Sequence, residues 1–156
     1  MSFSRKAALA LTGIVAMALP LAVAGSASAA TTRGGCTVTP LTPTLDHTDS
    51  KGQKWIKYED KVYCDGGRSI EILDERLEYD ALNYDDYYGS HTYNVSFDTA
   101  GTKYVSVLQV LPDADGLLDK NEEMYHQTGF QVTYDNGSVS GWTPDWDASP
   151  RATFHL

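Results

Sequence analysis

Between Lys54 and Cys64 apolar and polar side chains alternate. Ile56, Tyr58, Val62 and Cys64 share one face, while Lys57, Glu59 and Lys61 share the other. A period of two marks a strand with one face buried. Asp65-Gly66-Gly67 then supplies a tight turn, since glycine reaches positive φ without steric cost. A return strand is expected through Ile70, Ile72 and Leu77, although the Leu and Glu content of 71–79 also suits a short helix.

The same rhythm recurs along the chain. Cys36-Thr-Val-Thr39 reads as a short strand stopped by Pro40 and Pro43, with a polar connection running to Gly52. Tyr93, Val95 and Phe97 alternate, and Thr99-Ala100-Gly101 turns the chain. Tyr104 to Leu111 has valine and leucine at both parities, which predicts a central strand covered on both sides. Phe130, Val132 and Tyr134 lead into Asp135-Asn136-Gly137-Ser138, and Asn-Gly between alternating runs is the strongest short-range hairpin signal. Val139–Thr143 forms the return arm, and Ala152–Leu156 is a last strand. About seven strands at this spacing predict an all-β fold: a small antiparallel, immunoglobulin-like β-sandwich, with a closed barrel as the alternative. Trp55 lies between the cysteines but at the polar parity, unlike the core tryptophan of true immunoglobulin domains.

The first 29 residues break this pattern. Arg5 and Lys6 precede an apolar run from Ala7 to Val23, and small residues end in Ala27-Ser28-Ala29. This is the three-zone layout of a cleavable secretory signal, and the run is too short and too interrupted for a spanning helix. Residues 30–156 then form a single domain. Loss of Arg5 and Lys6 would take the net charge from −9 to about −11. Such a surface repels phosphate backbones and anionic lipid, so neither nucleic acid nor membrane insertion is expected. The two cysteines, Cys36 and Cys64, are expected to form one disulfide in an oxidising compartment.

Three segments are candidate binding sites. Tyr79 to Gly89 mixes tyrosines with acids, and Tyr84, Asp85, Asp86, Tyr87 and Tyr88 have the composition of a recognition loop for a protein partner. Trp142 and Trp146 flank a proline and offer a platform for a glycan ring. Asp113, Asp115 and Asp119 have a spacing reminiscent of a calcium loop. That loop departs from the helix-loop-helix pattern, because Leu117 replaces a third oxygen ligand and Met124 the closing glutamate. No cofactor other than calcium is suggested.

No catalytic signature is present: His47, His91, His126 and His155 are scattered, and none belongs to a nucleophile or zinc motif. Asn94 and Asn136 fall in glycosylation sequons, one inside a strand and one in a tight hairpin, and both read as chance matches. The expectation is a secreted, non-enzymatic module that binds another secreted or cell-surface protein. It would serve as an adaptor or accessory subunit of an extracellular complex, toxin complexes included. The alternatives are a carbohydrate-binding module using Trp142 and Trp146, and a secreted hydrolase inhibitor.

Overall fold

The computed structural model describes residues 30–81, 84–112 and 121–156. Their regular structure is all strand, arranged as two antiparallel five-stranded sheets. The strands are β1 (Thr31–Arg33), β2 (Cys36–Pro40), β3 (Thr44–Thr48), β4 (Lys54–Cys64), β5 (Arg68–Glu78), β6 (Asp86–Phe97), β7 (Gly101–Val110), β8 (Asn121–Thr133), β9 (Asp147–Ala148) and β10 (Ala152–His155). Among the described residues no helix is long and apolar enough to cross a membrane.

In the first sheet β4 is the spine. β7 pairs with it along its length, from Trp55↔Val110 to Cys64↔Gly101. The other edge of β4 is shared, with β2 against Asp60–Cys64 and β3 against Lys54–Lys57, while β1 extends β2. In the second sheet β5 lies between β6 and β8, and the far edge of β8 takes β9 and β10.

The expected alternation of β4 holds: Ile56, Tyr58, Val62 and Cys64 are all buried. Cys36 and Cys64 are bonded and stand directly opposite each other on β2 and β4. The bridge therefore lies within one sheet and does not join the two. Trp55 takes the outer face, where its ring stacks on His47 with centroids 5.8 Å apart.

Five expectations are corrected. The polar stretch to Gly52 is no plain connection: it carries β3, whose five residues are all exposed and which is held by its pairing to β4. The Asp65-Gly66-Gly67 turn does not close a hairpin, because β4 pairs with β7 and β5 belongs to the second sheet. The turn carries the chain from one layer to the other. Segment 71–79 is strand through Glu78, and its inward parity belongs to Asp74, Arg76 and Glu78, with Leu77 on the opposite face. Tyr104–Leu111 is not a central strand: β7 is paired along β4 alone, with Val105 and Val107 against the core and Tyr104 and Leu108 exposed. The tyrosine-rich loop is shorter than expected, because β6 starts at Asp86.

The Asn136-Gly137 turn forms as expected. Gly137 adopts φ 80°, and the Tyr134 amide donates to the Ser138 carbonyl at 2.9 Å. The return arm is irregular, joined to β8 by the Thr133↔Val139 bridge and by the Ser140 and Thr143 amides.

The sheets share an interior that divides in two. One apolar cluster gathers Val38, Val62, Ile70, Ile72, Val95 and Phe130 around the disulfide. A smaller one holds Ile56, Tyr58, Leu111 and Met124. A disulfide closing a loop of 28 positions contributes about 3–4 kcal/mol by the loop-entropy estimate. Replacing Cys36 and Cys64 together with alanine is expected to lower the unfolding free energy by at least about that much in a denaturant titration. A loss below about 1 kcal/mol would remove the bridge from the account.

Candidate functional site

Between the two apolar clusters the inward-facing side chains are polar and charged. The alternation that buries Tyr58 and Val62 on β4 also buries Asp60 between them, at 0% exposure. On β5 the inner face continues from Ile70 and Ile72 into Asp74, Arg76 and Glu78, all buried. On β8 it runs through Glu122, Met124, His126, Thr128, Phe130 and Val132. Arg76 and His126 are cross-strand partners, as are Asp74 and Thr128, so Asp74 sits diagonally from His126.

The His126 ring has a fixed setting. Its Nδ1 lies 2.7 Å from Asp74 Oδ2, and its Nε2 lies 2.8 Å from the Leu41 carbonyl oxygen. The Tyr58 ring meets it edge-on, with centroids 5.6 Å apart. Ser149 clamps the His126 backbone: its hydroxyl accepts the His126 amide at 3.1 Å, and its own amide donates to the His126 carbonyl at 2.8 Å. A carbonyl only accepts, so Nε2 carries a proton. Because Nε2 is engaged by a backbone carbonyl of the facing layer, the ring is held as a tie between layers.

Charge follows from this geometry. Burial alone lowers the His126 pKa, but the Asp74 hydrogen bond and charge, the Asp60 charge and the Leu41 carbonyl together raise it. Burial pushes Asp60 up to about 8, against the pull of His126 and with the repulsion of Asp74. Neither Asp60 oxygen has a hydrogen-bond partner, so no donor offsets the burial that favours its neutral form.

Around the trio, the Arg76 Nε donates to the Gly89 carbonyl at 3.3 Å. Gly89 has φ 111°, a backbone conformation that favours glycine, and a Cβ there would also press on the Arg76 guanidinium at 3.1 Å. The Tyr88 hydroxyl donates to Glu78 at 2.9 Å, and its ring packs on the smaller apolar cluster.

The candidate binding residues separate in space. Tyr84 is 96% exposed and Tyr87 57%, while Tyr88 turns inward. The Asp85 carboxylate accepts the Tyr125 hydroxyl and, at 3.3 Å, the Asp80 amide, which pins the chain beside Tyr84. Asp86 is exposed at the start of β6. Trp146 lies over Gly129, where a Cβ would come within 2.8 Å of its ring, and Trp142 is 40% exposed. Asp113, Asp115 and Asp119 lie outside the described residues, as does the signal-like segment 1–29.

Sequence reasoning missed Asp60, Asp74 and His126. The signal was available, since all three fall at the inner parity of their strands. The chain matches no protein-family model and no curated protein by sequence.

The raised pKa values fix the sign of a pH effect. The folded state holds a proton on Asp60 that the unfolded chain releases above its ordinary 3.8, so this group's contribution is lost as pH rises towards 8. His126 acts in the same direction above its ordinary 6.5. In chelator-treated buffer, denaturant titrations from pH 4 to 8 should show stability falling with pH, and Asp60→Asn should flatten the slope. Stability that rises over this window, or an unchanged slope in the variant, would contradict the assignment.

Proposed function

We propose that the protein is an exported, non-catalytic binding module whose partner is another secreted or cell-surface protein. The observation that carries this reading is the exposure of Tyr84 on a pinned backbone. A tyrosine at 96% exposure contributes nothing to the core, and its neighbour Asp85 is bonded on two sides. Rigid aromatic anchors flanked by acids suit protein contact, because little conformational entropy is lost on binding. Tyr87 and Asp86 extend the same surface.

Export rests on the signal-like first 29 residues, and the disulfide fits an oxidising compartment. The strongly acidic composition favours a basic partner face. For an immunoglobulin-like scaffold, the two facing antiparallel sheets speak in favour, while the bridge within one sheet and the ten strands speak against. The reading needs only the facing sheets. A glycan platform is less well supported, because Trp146 is committed to Gly129 and Trp142 alone stands exposed.

The test is capture from the native culture supernatant with tagged wild-type protein and with a Tyr84→Ala, Tyr87→Ala double variant. Wild type should retain a stoichiometric protein, and the variant should lose about 2 kcal/mol or more of its binding energy. Its stability should stay within about 0.5 kcal/mol. Tyr88→Phe should do the reverse, keeping the partner while losing about 1 kcal/mol of stability with the Glu78 hydrogen bond. Undiminished capture by the double variant would overturn the assignment of the contact surface.

A further inference from the structure

We propose that Asp60, Asp74 and His126 form a binding site for one divalent transition-metal ion of the zinc class, enclosed between the two sheets. One ligand atom from each, two carboxylate oxygens and an imidazole nitrogen, lies within 4.8 Å of the other two. All three residues are at 0% exposure. Both Asp60 oxygens and Asp74 Oδ1 are buried with no hydrogen-bond donor, which is costly for groups that bind ligands so readily. Two further buried oxygens without partners, Thr128 Oγ1 and the Tyr93 hydroxyl, face the same interior. Thr128 stands directly across the ladder from Asp74.

The histidine is already set for coordination. Metal-bound imidazoles almost always donate their second N–H to a carbonyl or carboxylate, which fixes tautomer and ring orientation. Here Nε2 donates to the Leu41 carbonyl at 2.8 Å, leaving Nδ1 turned towards the carboxylates. The charge also balances. Two carboxylates and a neutral imidazole around one divalent ion leave no net charge buried between the sheets. Mixed nitrogen and oxygen donors suit zinc, manganese and their neighbours, whereas calcium takes six to eight oxygens. Enclosure implies that the ion enters as the sheets close and leaves only when they open.

The experiment is to unfold the purified protein with its disulfide intact, refold it with Zn²⁺, remove free metal and count bound zinc by elemental analysis. Wild type should carry one ion per chain, resist chelator while folded and release the ion on unfolding. Asp60→Asn replaces a neutral acid by a group of the same shape, and it should refold and hold background zinc. In case that variant fails to fold, ¹⁵N NMR of wild-type imidazoles supplies an independent reading. Zinc should move Nδ1 of one histidine, His126, while its Nε2 stays protonated and His47, His91 and His155 do not respond. Refolded wild type without zinc would overturn the proposal. So would equal loading of Asp60→Asn, which would place the ion elsewhere, or a response confined to the other histidines.

Discussion

A fully buried imidazole has two polar nitrogens to satisfy, and in this protein they reach opposite layers of the fold. Nδ1 of His126 meets Asp74 within the second sheet, while Nε2 meets the carbonyl of Leu41, whose amide bonds Glu59 on the spine of the first. One ring therefore ties the layers together at a defined separation. Asp60 closes the arrangement from the facing strand. Apolar contact between sheets tolerates sliding; a hydrogen bond between buried groups does not, because breaking it leaves a costly unpaired group behind.

The consequences spread outward along the strands that carry these residues. Past Asp74, the inner parity of β5 passes to Arg76 and Glu78, and each reaches β6, Arg76 through the Gly89 carbonyl and Glu78 through the Tyr88 hydroxyl. These contacts fix the start of β6, and with it the course of the chain at Tyr87 and Tyr84. The surface tyrosines owe their setting to polar chemistry between the two sheets. A purely apolar interior would lack the directional bonds that do this. The division of the core into a larger cluster at the disulfide end and a smaller one around Met124 follows from the same layer, because it stands between them.

The sequence made much of this legible where alternation was unbroken. The inner face of β4, the Asn136-Gly137 turn and the Cys36–Cys64 bridge could all be read from local pattern, because each depends on neighbours in sequence or on a unique pair. Pairing was less legible. Gly66-Gly67 looks like a hairpin turn whether the chain folds back onto its own sheet or crosses to the other. Two-faced valine and leucine along β7 also suit an edge strand whose outer residues, Tyr104 and Leu108, stay exposed. The buried trio was overlooked because charged residues are assumed to face water. Strand parity said otherwise at Asp60, Asp74 and His126, and only the distances across the sheets show why their burial is tolerated. The exposure of Tyr84 beside the inward turn of Tyr88 was likewise beyond the sequence, which offers five tyrosines between 79 and 93 with no local signal to rank them.

A double-mutant cycle on the tie between Asp74 and His126 tests the central claim most directly. Denaturant titrations of Asp74→Asn, His126→Gln and the double variant, in chelator-treated buffer, give the coupling between the two side chains. Removing one member of a buried charged pair should cost about 3–5 kcal/mol, since it strands the other. The double variant should then fall short of the sum by about 1–3 kcal/mol. Additivity within about 0.5 kcal/mol would mean that the two residues do not act as a pair, and that Asp74 does not hold the His126 ring in the setting from which Nε2 reaches the Leu41 carbonyl of the facing layer.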